Sequence, residues 1–244
     1  MGYYTMMKKL AAAVAAASLF SFAGVAHAES FDTALGEMDV SMTATLATDY
    51  IWRGQSQTAG AGAVQGSLDI AHESGLYIGA WASNVDADTF GGASVEYDYY
   101  AGFGGDITDD IGYDLQWATY TYPKGVQSVD EVIGSISLYG FNVGAKYAYD
   151  PSSALYAFID YGFELPYGLG LGLHYGYTDT KDPLDGVRSD ETYSDWAVSI
   201  GKPILGVDVS LMYSATDLDE VCGDWYGKDD YCEANFTLAV SKSF

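Results

Sequence analysis

Leu155-Tyr156-Ala157-Phe158-Ile159-Asp160-Tyr161-Gly162-Phe163, Pro166-Tyr167-Gly168 and Leu169-Gly170-Leu171-Gly172-Leu173-His174-Tyr175-Gly176-Tyr177 form the stretch that decides the fold. Leu155, Ala157, Ile159, Tyr161 and Phe163 share one face of an extended chain, opposite Asp160 and Gly162. After a link carrying Pro and Gly, Leu169, Leu171, Leu173, Tyr175 and Tyr177 alternate with Gly170, Gly172, His174 and Gly176. A period of two is the signature of a strand with two unlike faces, and so short a link joins antiparallel neighbours. The Gly-rich run is no phosphate loop, since it lacks Lys and a following helix. Its glycines make room on the polar face or bend the wall.

The same alternation recurs outward from here, from residue 40 to the end of the chain. Val40, Met42, Ala44, Leu46, Tyr50 and Trp52 oppose Ser41, Thr43, Thr45, Asp49 and Arg53. Val64, Leu68 and Ile70 oppose Gln65, Ser67 and Asp69; Gly75 to Val85 follows, with Tyr77 and Trp81 on its more polar face. Val95, Tyr97, Tyr99, Ala101 and Phe103 oppose Glu96, Asp98 and Tyr100, and Ile111, Tyr113, Leu115 and Trp117 oppose Asp114 and Gln116. Runs at Val132 to Tyr139, Phe141 to Tyr149, Trp196 to Ile200, Val207 to Tyr213 and Phe236 to Phe244 complete the pattern. That makes about twelve strands, an even number as in bacterial outer-membrane barrels.

The connections separate a soluble sandwich from a membrane barrel. Long polar links such as Asn84 to Ser94, Pro123 to Asp130, Asp179 to Tyr193 and Asp217 to Ala234 follow the odd strands. Short ones follow the even strands: His72-Glu73-Ser74, Thr108-Asp109-Asp110, Tyr139-Gly140, Pro166-Tyr167-Gly168 and Lys202-Pro203-Ile204. Asp150 to Ala154 is short for its side. Long external loops alternating with tight periplasmic turns are how transmembrane barrels are built. Tyr50, Trp52, Tyr97, Tyr147, Tyr149, Tyr175, Tyr177, Trp196 and Tyr213 fall at outer strand ends, and Tyr113, Phe141 and Phe244 at inner ends. Such rings suit the headgroup boundary.

The expected fold is therefore all-β: an antiparallel transmembrane β-barrel spanning Asp39 to Phe244, preceded by a cleaved signal peptide. Residues 1–28 read as that signal, with a basic Met7-Lys8-Lys9, an apolar Leu10 to Val25 and an Ala26-His27-Ala28 cleavage site. Residues 29–244 form one barrel domain in the bacterial outer membrane. No later stretch approaches roughly 18 uninterrupted apolar residues, which excludes a spanning helix. Removing the signal deletes two Lys and no acid, deepening a formal net charge of −24. That balance rules against nucleic-acid binding. Cys222 and Cys232, ten positions apart in an acidic stretch of an exported chain, read as a disulfide rather than a metal pair.

Asp49 to Gln57, Gly75 to Gly79 with Ser83-Asn84-Val85, Glu96 to Gly102 and Tyr120-Thr121-Tyr122-Pro123 resemble the TorF-like family of porins. This proteobacterial group is also described as conserved hypothetical proteins. Tyr193-Ser194-Asp195-Trp196 and Ser241-Lys242-Ser243-Phe244 resemble its later motifs. The resemblance covers nearly all of the mature chain and implies an outer-membrane porin; the family name points to small amine oxides. The terminal Phe244 also resembles the signal read by the barrel assembly machinery, with Lys242 departing from its usual apolar residue.

The interior face then carries Asp49, Asp69, Glu96, Asp98, Asp114, Asp160, Asp195 and Asp208 against Arg53 and Lys146, with His174 beside them. These are the expected channel-lining residues. In lipid their charges would be costly, so they face water or partners. An acid excess favours cations. A lumen plugged by a hydrogen-bonded Asp, Lys and Tyr core is the alternative, since about twelve strands leave a narrow bore. Arg53, the only Lys or Arg between residues 10 and 123, either orients solutes at the mouth or pairs with Asp49 or wall acids to hold the first loop. No Ser/His/Asp spacing points to an enzyme, and no cofactor or catalytic residue is expected.

The acidic loop carrying Asp217, Asp219, Glu220, Asp224, Asp229, Asp230 and Glu233 reads as a solvated face meeting lipopolysaccharide through shared divalent ions. The expected function is passive diffusion of small hydrophilic solutes, favouring cationic or zwitterionic ones. The rival is a closed barrel acting at the surface through its loops. Expected partners are outer-membrane lipid, lipopolysaccharide, the barrel assembly machinery and small solutes.

Overall fold

The computed structural model describes residues 29–180, 192–218, 222 and 229–244. The signal reading for residues 1–28 lies outside them, as do Asp219, Glu220 and Asp224. The strands are β1 (Glu29–Thr33), β2 (Gly36–Ala47), β3 (Ile51–Trp52), β4 (Gln55–Ser56), β5 (Ala63–His72), β6 (Leu76–Asn84), β7 (Val95–Thr108) and β8 (Ile111–Thr121). They continue as β9 (Val129–Leu138), β10 (Phe141–Asp150), β11 (Ala154–Leu165), β12 (Leu169–Thr180), β13 (Thr192–Ile204), β14 (Val207–Thr216) and β15 (Asn235–Ser243). β2 and β5 to β15 are the twelve staves of one antiparallel sheet. It closes where β15 pairs with β2, Ala239 opposite Ala47 and Ser243 opposite Thr43. Phe244 extends the seam by exchanging backbone hydrogen bonds with Met42. Closing the sheet on itself is the condition for strands to cross a bilayer.

Alternation decides which side chains meet lipid. Leu46, Leu68, Tyr99, Leu115, Ile136, Ile159, Leu173, Val198, Leu211 and Leu238 lie exposed on the outside. Their sequence neighbours Thr45, Asp69, Asp98, Gln116, Ser135, Asp160, His174, Ala197, Met212 and Thr237 face inward and are buried or half-buried. Tyr97, Tyr147, Tyr149, Tyr175, Tyr177, Trp196 and Tyr213 point outward at the long-loop end, forming the aromatic belt. The opposite end carries tight turns, three of them built alike. Tyr139-Gly140, Tyr167-Gly168 and Leu205-Gly206 all have positive φ at both positions, the backbone that lets a two-residue turn follow the strand twist. An apolar-clad, closed antiparallel barrel of this kind belongs to the bacterial outer membrane.

Three departures from the sequence reading have physical causes. The first stave stops at Ala47, and Tyr50 and Trp52 do not join the lipid-facing belt. The loop of residues 48–62 turns into the barrel over 49–58, where β3 and β4 form a small hairpin about Arg53-Gly54, both at positive φ. Tyr50 is only 2% exposed and packs edge-to-face on Trp81, with ring centroids 5.3 Å apart. Second, Lys202-Pro203-Ile204 is strand, not turn. Pro203 pairs opposite Asp208 near the end of the ladder, and the bend falls at Leu205-Gly206. Third, β1 is an extra strand that lies along the start of β2, Glu29 opposite Val40, on the flank that β15 leaves uncovered.

Candidate functional site: the barrel interior

Interior aromatic rings lie flat on the wall because glycines on the next stave make room. Tyr77 stands opposite Gly102 and Tyr100 opposite Gly79. A Cβ at Gly102 would fall 2.3 Å from the Tyr77 ring, and one at Gly79 would fall 2.2 Å from the Tyr100 ring. A Cβ at Gly144 would likewise meet the Phe158 ring opposite it, and one at Gly176 would meet the Tyr156 ring from a diagonal position. Around β5 to β9, Tyr77 and Tyr100 build a packed interior cluster with Tyr50, Trp81, Tyr120 and Ile133.

The hydroxyls of these tyrosines take the carboxylates. Tyr100 donates to Asp69, and Tyr77 donates to Asp114 Oδ2 at 2.8 Å. Tyr120 donates to Glu131 Oε2 at 2.8 Å, and Tyr50 reaches Glu96 Oε1 at 3.3 Å. On β12, His174 lies between two acids, Nδ1 at 2.6 Å from Asp160 and Nε2 at 2.9 Å from Asp195, with the Tyr156 hydroxyl 2.8 Å from Nε2. Asp98 differs from these. It is fully buried with the Glu96 carboxyl beside it, and among the described residues no donor reaches either of its oxygens. Asp208 faces inward near the short-turn end, half-buried. Lys146 on β10 faces inward opposite Ile133 and Tyr156, under the influence of Glu131, Asp160 and Asp98.

The loop of residues 48–62 organises the external half. Asp49 is its anchor: Oδ1 accepts from Ser56 and Thr58, each at 2.7 Å, and Oδ2 accepts from Asn235 at 2.5 Å. Burial pushes the Asp49 carboxyl above its usual range, while the bonds from Thr58 and Ser56 pull the other way. Gln55 donates to the Tyr193 hydroxyl at 2.7 Å. Arg53 crosses the lumen. Its Nη2 donates to Glu131 Oε1 at 2.6 Å, and its guanidinium carbon lies 4.2 Å from the ring centroids of both Trp52 and Tyr156. Burial acts to lower the guanidinium's pKa, but Glu131 together with Tyr193, Tyr156 and Tyr120 more than offsets it, and the net shift is upward.

Two further loops lock this one in place. Asp86 donates its backbone N–H to Gln57 O at 2.8 Å, and its carboxylate accepts from Tyr231 at 2.7 Å. Tyr231 belongs to a short 3-10 turn, Asp229–Cys232, closed by the disulfide Cys222–Cys232. Leu218, Tyr193 and both cysteines pack around it.

Thus Asp69, Glu96, Asp98, Asp114, Lys146, Asp160, His174, Asp195 and Asp208 all lie on the interior wall, and Asp49 and Arg53 reach the interior on a loop. The partner of Arg53 is a wall acid, not Asp49. That acid, Glu131, is absent from the sequence-derived set. Its signal was its parity with Ile133, two places on, across Val132. Among the described residues no group of three or more His, Cys, Asp or Glu is placed to hold a metal ion.

A twelve-stave barrel with a polar, acid-rich interior and one loop folded into its bore has the architecture of an outer-membrane porin. The chain belongs to the family described as bacterial protein of unknown function (Gcw_chp), whose model matches residues 31–244. Its fold is similar to that of the KdgM porin, at a TM-score of 0.51 and 8% identity, over 84% of this chain and 99% of that one. The KdgM porin in complex with disordered oligogalacturonate gives the same values, 0.51 and 8%, over 84% and 99%. OpdQ of Pseudomonas aeruginosa is similar over 89% of this chain and 74% of its own, at 14% identity and a TM-score of 0.39. Among curated proteins none matches the sequence.

Proposed function

We propose that the protein is a porin-like channel for passive diffusion of small hydrophilic solutes, favouring cationic or zwitterionic ones. The observation that carries this reading is the charge of the interior. Asp49, Asp69, Glu96, Asp98, Asp114, Glu131, Asp160, Asp195 and Asp208 stand against Arg53 and Lys146, with His174 between two of the acids. Fixed carboxylates in a narrow, low-dielectric bore concentrate cations and repel anions. The inward loop sets the width at the external half, while half-buried Ser135, Asn142 and Ser241 line the wall toward the periplasmic end.

A second reading rests on the packing of the external half. Tyr50, Trp81, Tyr100, Tyr120 and Ile133 are all buried there, which fits a barrel closed at rest that acts at the surface through its acidic loops. Swelling of liposomes containing the folded protein separates the two. The channel reading expects swelling in isosmotic arginine or glycine that exceeds swelling in glutamate; no swelling in any solute supports the closed barrel.

Kinship with the TorF-like group, recognition of Phe244 by the assembly machinery and lipopolysaccharide contact by the acidic loops belong to the same proposal. They are supported by the motif at each place.

A further inference from the structure

The seat of Arg53 has two parts of different character. Glu131, Tyr120 and Tyr156 stand on β9, β8 and β11, fixed by the barrel ladder. The cation that fills the seat comes from a loop. Glu131 offers one oxygen to the guanidinium at 2.6 Å and keeps the other for Tyr120, while the ring centroids of Tyr156 and Trp52 each lie 4.2 Å from the guanidinium carbon. A carboxylate with aromatic faces in a buried pocket is the chemistry that recognises planar or alkylated cations.

Arg53 fills this seat imperfectly. Its φ of 47° is left-handed, costly for a residue with a side chain, and its Nε is buried without an acceptor among the described residues. The fixed wall complements a cation better than this particular tethered one satisfies it.

We infer that the Glu131–Tyr120–Tyr156 wall is a binding site for a cationic solute of the guanidinium or alkylammonium class, and that Arg53 is its tethered resident, which the free solute displaces. The inference rests on the reading of the barrel as a channel favouring cations, and deepens it. Entry of the solute takes the ion pair from Arg53 and frees the loop that narrows the bore. The protein's own side chain then acts as the competitor that sets how much solute is needed.

The test is calorimetric titration of guanidinium chloride, against sodium chloride at equal ionic strength, into the full chain folded in detergent. Folding of each variant is checked by heat-modifiable gel migration. Arg53→Ala vacates the seat, so guanidinium binds on the order of tenfold more tightly than to the unsubstituted protein. Adding Glu131→Gln to Arg53→Ala abolishes that binding. Arg53→Lys, which keeps a charge without a planar fork, binds guanidinium with intermediate affinity and serves if the alanine variant does not fold. Binding no tighter without Arg53, or unchanged without Glu131, overturns the inference. Saturable, Glu131-dependent binding in a barrel that passes no ions upholds this site and overturns the channel reading; ion passage without such binding does the reverse.

Discussion

Arg53 and Glu131 meet across the lumen, Nη2 to Oε1 at 2.6 Å, with both side chains almost fully withdrawn from water. Arg53 is carried by the loop between β2 and β5, whereas Glu131 stands on the opposite side of the ring. Removing one member of a buried pair leaves a charge without compensation, at a cost of about 3–5 kcal/mol. The barrel ladder does not depend on this contact, so the cost falls on the seating of the loop.

Glu131→Ala is therefore expected to release residues 48–62 from the bore while the barrel stays folded. Trypsin reads this directly, because Arg53 is the only Lys or Arg between residues 10 and 123. The unsubstituted protein resists cleavage after Arg53, and the variant is cut there. Equal resistance in both would show that Glu131 does not hold the loop.

Gly102 tests the fit between glycine and ring. An added Cβ meets the Tyr77 ring at 2.3 Å and the Leu115 carbonyl at 2.8 Å, so neither neighbour can yield without disturbing the wall. Gly102→Ala should destabilise the barrel by about 1–3 kcal/mol, seen as a lower urea midpoint in detergent. An unchanged midpoint would contradict the arrangement.

The lipid face is tested at Leu211, outward-facing near the middle of β14. Leu211→Arg should cost about 2–4 kcal/mol when the barrel folds into lipid vesicles. A neutral effect would mean that this side chain does not meet hydrocarbon.

The disulfide holds a loop, not the barrel. Alkylation without reductant should label neither Cys222 nor Cys232. Replacing both with Ser should cost the loop roughly 3 kcal/mol at most while heat-modifiable migration persists. Loss of the folded band would assign the disulfide a wider role.

Period-2 alternation made most of this architecture legible, because lipid outside and polar groups inside write the same pattern on every stave. It failed at residues 49–53. There Asp49, Tyr50, Trp52 and Arg53 continue the strand period, yet a ring tucked into the lumen and a ring at the headgroup boundary alternate alike. Arg53-Gly54 as a two-residue turn was the local mark of the reversal. Pro203 misled in the other direction, since near a ladder's end it is tolerated within a strand. The acid excess was visible; its satisfaction by tyrosine hydroxyls was not, because Tyr100 with Asp69 and Tyr77 with Asp114 meet across staves, at registers no single strand reveals.

The proposed function is passage of small solutes through an interior with an excess of carboxylates. Planar-bilayer recording of the purified protein across a salt gradient tests it most directly. Discrete current steps are expected, with a reversal potential of the sign of cation preference, a preference that weakens when Glu96 and Asp98 become Gln and Asn. A membrane no more conductive than bare lipid, or steps that prefer anions, would contradict it.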